Sequence, residues 1–168
     1  VLPAFNTGFT YTYDEMDNGD GTYTTRVYAD SLDNLPTSIS FWAKTTLLTV
    51  DKLNTSKVTS MNSMFIGCTS LTSIDLSSFD TSNVTNMADM FHHCSKLTNL
   101  DLSNLSTSNV TTMQGMFRYC YKLTSLDLSH FNTNNVNDMY YMFNNCQLLT
   151  NITFGDNFDT SKVTSMGY

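Results

Sequence analysis

Five residue types recur in phase along this chain, each at a step of 26 residues. Cys68, Cys94, Cys120 and Cys146 mark the step. Val58, Val84, Val110 and Val136 keep it, as do Met61, Met87, Met113 and Met139. So do Phe65, Phe91, Phe117 and Phe143, and Leu71, Leu97, Leu123 and Leu149. Random sequence does not hold five types in register over four copies. The period therefore dictates a repeat architecture, in which a unit completes its core only against its neighbours. One full unit, Leu71 to Lys96, reads LTSIDLSSFDTSNVTNMADMFHHCSK. The last copy carries one extra residue in TFGDNF, so Val163 and Met166 fall 27 residues after Val136 and Met139.

Two periodicities share each unit. Leu71, Ile74 and Leu76 have the L-x-x-L-x-L spacing of a short strand that turns alternate side chains inward. Met87, Met90, Phe91 and Cys94 fall at i, i+3, i+4 and i+7, which predicts a short helix with one apolar face. Good N-cap types precede that stripe in every copy: Ser60, Asn86, Thr112 and Asp138. So short a helix needs the adjacent rung to persist in water. The linking DTSNVT is rich in residues that bond nearby backbone, with Phe79, Leu105, Phe131 and Phe158 expected to point inward. The predicted fold is an α/β solenoid, a leucine-rich repeat of 26-residue strand–loop–short helix units spanning residues 47–168.

Residues 1–46 have no copy elsewhere in the chain. FTYTYDEM and GTYTTRVYA alternate polar and apolar residues around the turn-forming DNGDG, which predicts a β-hairpin rather than a calcium loop, since the loop's acidic spacing is missing. This segment is read as a β-rich N-terminal cap. TSKVTSMGY stops where M-x-x-M-F should continue, so a C-terminally truncated array and a longer native protein are expected.

Charge narrows the function. Eight Lys and Arg stand against 15 Asp and Glu, a formal net charge of −7, so no basic stripe exists to neutralise phosphates and no nucleic-acid partner is expected. No run of about 18 apolar residues predicts a transmembrane segment. VLPAF lacks the basic start of a signal peptide. Polarity comes from Ser, Thr and Asn, with only 14% charged residues, a composition common on surfaces displayed outside cells. Three scattered histidines, without a glycine-rich phosphate loop or a nucleophile elbow, give no catalytic constellation. No enzyme, cofactor or metal is expected.

The string F-D-T-S-N-V-T-x-M-x-x-M-F-x-x-C-x-x-L-T-x-L-D-L-S, intact from Phe79 to Ser103 and recurring from Leu105 with Leu105 and Ser106 in place of F-D, resembles the repeats of the BspA-like bacterial surface proteins. The resemblance covers roughly residues 47–168. It implies a secreted or cell-surface protein that adheres to a protein or glycan on host, matrix or neighbouring cells. The family carries no agreed set of binding residues. An uncapped solenoid end also permits self-association, so a filament or surface layer is the alternative reading.

Two sets of outward residues are the candidate sites. Strand alternation exposes a concave row of Asp75, Asp101 and Asp127, flanked by Ser73, Asn99 and Ser125. Like charges opposite one another repel, so the row would suit a cation or a basic partner; the alternative is solvated carboxylates bonding local backbone. The second set is convex: Tyr119, Tyr121, Tyr140 and Tyr141 occupy slots that other units fill with small or polar residues. Tyrosines of this kind anchor interfaces or simply cover the surface. His92 and His93 adjoin Cys94 but have no counterparts in other units, so they are not read as metal ligands. The cysteines share one inward slot without a C-x-x-C pair and are read as buried thiols rather than disulfides. Asn54, Asn83, Asn104, Asn109 and Asn151 open N-x-S/T sequons, two of them (Asn83 and Asn109) generated by the repeat itself.

Overall fold

A strand of three or four residues cannot satisfy its own backbone, so each unit must find its hydrogen-bond partners one unit away. The computed structural model describes residues 11–17, 23–29, 47–49 and 55–167, and there each 26-residue unit forms one rung of a solenoid. β1 (Tyr11–Asp17) and β2 (Tyr23–Ala29) form the expected antiparallel hairpin, with Tyr11 opposite Ala29 and Asp17 opposite Tyr23. β2 then pairs in parallel with β3 (Leu47–Thr49), and β3 with β4 (Ser73–Asp75). The hairpin thus extends the repeat sheet at one edge. The DNGDG turn and the rest of residues 1–46 lie outside the described residues, as does Asn54.

A second parallel pair joins β5 (Ser125–Leu128) to β6 (Asn151–Phe154). Residues 99–101, the rung between the two sheets, form no strand, and Leu100 is only half-buried where Ile74 and Leu126 are buried. One bond still crosses there, from the Thr98 N–H to the Thr72 carbonyl at 3.3 Å.

The expected short helix is absent, and the hydrogen bonds explain why. The N–H groups of Met61, Ser63, Phe65 and Gly67 donate to the carbonyls of Asn86, Ala88, Met90 and His92 on the next rung, each at 2.8 Å. Met64, Ile66 and Cys68 between them donate three residues back, each at 3.2 Å. A helix would keep all these donors internal; here alternate residues lend theirs to the neighbour. The geometry requires a left-handed φ twice per unit: Ser63 and Gly67, Asp89 and His93, Gly115 and Tyr119, Tyr141 and Asn145. The predicted caps do accept N–H bonds two residues on, Ala88 to Asn86 and Tyr140 to Asp138 at 2.9 Å, but they open a run of turns.

The core fills the space between strand side and turn side. Val58, Met61, Met64, Phe65, Cys68 and Leu71 are fully buried, as are their counterparts in the next two units. Phe65, Phe91, Phe117 and Phe143 stack with centroids 5.4, 6.0 and 5.8 Å apart and planes within 12°. Phe79, Leu105 and Phe131 are buried as expected, and Phe158 packs against the core from the last rung. All four cysteines are thiols. Those of Cys94, Cys120 and Cys146 donate to the carbonyls of Phe65, Phe91 and Phe117 on the preceding rung.

Two polar ladders tie the rungs at the linker. Thr55, Thr81, Thr107 and Thr133 are buried, and each hydroxyl donates to a carbonyl of the following rung: Asp80, Ser106, Asn132 and Asp159, at 2.7 to 3.0 Å. Beside them the Asn83, Asn109 and Asn135 amides donate back to Ser56, Ser82 and Ser108. The two sequons generated by the repeat therefore begin on asparagines that hold the rungs together.

Candidate functional site

The strand-side row is exposed throughout, at Ser73, Asp75, Asn99, Asp101, Ser125 and Asp127. Its carboxylates turn back on their own chain. The Oδ1 atoms of Asp75, Asp101 and Asp127 accept the N–H groups of Ser77, Ser103 and Ser129 at 2.8, 2.9 and 2.9 Å. Bonds from the same serines, side chain first and backbone second, hold all three carboxyls below the usual range. Repulsion opposes this weakly, Asp101 acting on Asp75 and Asp127 on Asp101. His130, which sequence reasoning did not single out, places Nε2 2.7 Å from the Leu102 carbonyl. Among the described residues no group of three His, Cys, Asp or Glu is arranged to hold a metal ion.

The turn side differs: there the structure brings the four tyrosines into one patch and adds three residues that had not been grouped with them. The Tyr119 ring lies 5.6 Å from His92, 5.8 Å from His93 and 5.8 Å from Tyr121, centroid to centroid. His93 meets Tyr121 edge-on at 6.2 Å. The Arg118 guanidinium spans two rungs, 4.7 Å from the Tyr119 ring centroid and 4.3 Å from that of Tyr141. It donates to the Tyr119 hydroxyl at 3.1 Å. Tyr140 packs on Tyr141 with centroids 4.0 Å apart. A sequence signal for the additions existed: His92 and Arg118 share the slot of Ile66 and Asn144, and His93 shares that of Tyr119.

Two electrostatic features set this patch apart. His92 Nδ1 sits 3.0 Å from Asp89 Oδ1, yet burial pushes the imidazole below its usual range; Asp89 opposes that shift, while Arg118 and His93 add to it. Arg118 has a buried Nε without a hydrogen-bond partner, and no carboxylate among the described residues lies within ion-pair distance of its guanidinium.

The backbone beneath the rings is strained. Tyr119 and Tyr141 have φ of 61° and 60°, and His93 has 62°. A bulky residue in the left-handed region is a steric outlier that glycine escapes. Glycine fills the Tyr119 slot at Gly67 and the Tyr141 slot at Gly115. At Gly115 a Cβ would also run into the Asp89 carboxylate. Nothing in the sequence alone shows these slots to be left-handed.

The chain matches the family described as Mycoplasma protein of unknown function, DUF285, over residues 36–154 and again over 123–168. Among solved structures it is similar to a leucine rich cell surface protein from Faecalibacterium prausnitzii A2-165. That match has 20% identity and a TM-score of 0.54, and covers 96% of this chain and 50% of that one. The chain therefore spans about half the length of that neighbour. It is also similar to the Leucine Rich Repeat protein of T. pallidum, at 14% identity and a TM-score of 0.34, covering 95% and 83% of the two chains. No curated protein matches. The likeness to the first structure supports a leucine-rich-repeat solenoid; the resemblance to BspA-like proteins is met at the level of that fold.

Proposed function

The chain belongs to the family described as Mycoplasma protein of unknown function, DUF285, and from that premise we propose that it is a cell-surface or secreted adhesion protein. It binds a protein or glycan partner through the turn side of its repeats, and performs no catalysis. One observation carries the reading: Tyr119 and Tyr141 place bulky rings on left-handed backbone, in slots that other units fill with Gly67, His93 and Asn145 and with Ser63, Asp89 and Gly115. Backbone strain retained at bulky residues concentrates at binding surfaces, where the side chain has a use beyond the fold. Half-buried tyrosines with an arginine between them have the composition of an interface anchor. The leucine rich cell surface protein with a similar fold agrees with an extracellular location. No helix among the described residues is long and apolar enough to cross a membrane.

The test is adhesion of the purified, labelled protein to a panel of cells and matrix components, with a Tyr119→Gly/Tyr141→Gly double variant beside it. The variant should stay folded and lose binding by about tenfold or more. Unchanged adhesion by a folded variant would overturn the reading. The acidic strand-side row is the second candidate surface; there an Asp75→Asn/Asp101→Asn/Asp127→Asn variant should change adhesion only if a basic partner docks on it.

A second reading is assembly of copies into a filament or surface layer, since parallel rungs can stack on one another. Light scattering of the full-length protein decides this: a discrete particle sinks the filament.

A further inference from the structure

We infer that the turn-side patch is a binding site for an acidic polysaccharide. The inference rests on the adhesion reading above and names the chemistry of its ligand. Charge comes first. The chain carries a formal net charge of −7, yet Lys96, Arg118 and Lys122, three of its eight Lys and Arg, lie in or beside the segments that build this patch. Lys96 and Lys122 are exposed and one repeat apart. Two carboxylates lie against the patch: Asp89, with Oδ1 3.0 Å from His92 Nδ1, and Asp138, whose Oδ1 accepts the Tyr140 N–H. Three cations, Lys96, Arg118 and Lys122, against these two carboxylates leave the patch locally positive on an acidic molecule, and its counterpart is an anion.

Arg118 shows that the site is built. Two tyrosine faces and the Tyr119 hydroxyl hold its guanidinium across two rungs, so little side-chain freedom is left to lose on binding. No carboxylate among the described residues neutralises it. A guanidinium so placed is ready to take a carboxylate or sulfate through its remaining N–H groups.

The rings choose a sugar polymer over an acidic peptide. Six rings spread over three rungs: His92 and His93, then Tyr119 and Tyr121, then Tyr140 and Tyr141. Stacked Phe centroids put the rungs 5.4 to 6.0 Å apart. An extended polysaccharide laid along the rungs therefore meets a new set of rings at each of these steps. Successive sugars can then lay their C–H faces on successive rings while their acid groups meet Arg118 and the lysines. An acidic peptide offers the charge without the flat apolar faces.

The experiment measures binding of the full-length protein to four probes: hyaluronan (carboxylated), dextran sulfate (sulfated), neutral dextran and poly-glutamate. Binding to either acidic polysaccharide, lost at high salt and absent with neutral dextran, is expected. Lys96→Gln/Lys122→Gln, and separately Tyr121→Ser, which copies Ser95 one unit earlier, should each weaken it by about tenfold while thermal unfolding stays in place. Binding to poly-glutamate as tight as to the acidic polysaccharides, equal binding to neutral dextran, or no binding at all would overturn the inference. If no polysaccharide binds but the tyrosine variants still lose cell adhesion, only this inference falls. If adhesion also survives in those variants, the adhesion reading falls with it.

Discussion

The guanidinium carbon of Arg118 lies 4.3 Å from the ring centroid of Tyr141, a residue whose own φ is 60°. Contact and strain therefore meet at one side chain. In Tyr141→Gly the relief of left-handed strain, about 1–2 kcal/mol, offsets the lost cation–π and packing contribution of about the same size. Net stability should change by less than about 1 kcal/mol, while binding falls. Urea unfolding beside a binding curve checks this; a loss of several kcal/mol would mean that the ring is needed by the fold.

Thr107 and Thr133 test the buried ladder at unequal strength. The Thr107 hydroxyl both donates to the Asn132 carbonyl and accepts the Asn132 N–H, at 3.0 and 2.8 Å. The Thr133 hydroxyl donates to Asp159 alone. Thr→Val keeps shape and removes the hydroxyl, and each buried group left unpaired costs about 1–3 kcal/mol. Thr107→Val should therefore cost more than Thr133→Val by about 1 kcal/mol or more. Equal losses in chemical denaturation would show that the two-way bond adds nothing.

These ladders mark the limit of what the sequence disclosed. The inward set of the turn side, Met87, Met90, Phe91 and Cys94, was legible because turns bonded three residues back bring nearly the same residues inward as a helix does. The helix itself was a misreading, since apolar spacing does not record where an N–H group donates. The recurring Thr81 and Thr107 looked like loop polarity, and only the carbonyls of the next rung explain why a hydroxyl is buried there. Of the candidate site, the tyrosines were legible as exceptions to the repeat. Arg118 and His92 were legible only as departures within their shared slot, and the left-handed slots not at all, because their meaning depends on side chains one rung away.

In the 168-residue chain Cys146, in the last rung with a cysteine, should be the first to react with an aromatic disulfide reagent. Burial raises every resolved thiol, but that of Cys146 reaches only about 11, and it is half-buried where Cys94 and Cys120 are buried. The thiolate is the reacting species, so exposure and lower pKa act together. Mass mapping after brief labelling should find Cys146 modified, and denaturation should release four thiols in all. Early labelling of Cys94 or Cys120 would mean that the core opens on that timescale.

Acidification should destabilise the fold in two windows, with different groups behind each. His92 titrates below its ordinary 6.5 in the folded state, because burial disfavours its charge. The unfolded chain then binds the proton more readily, so the stability present above pH 6.5 declines as pH falls through that value and stops declining below the folded pKa. Asp75, Asp80, Asp101, Asp127 and Asp159 are shifted the same way from 3.8 by bonds from serines two residues on. Their contribution is present above pH 3.8 and is lost as pH falls through their depressed values. His92→Asn, which copies Asn144 in the same slot, should flatten the first window and leave the second in place. Urea midpoints measured across both windows decide. An unchanged slope near pH 6 in the variant would show that another group drives the first loss.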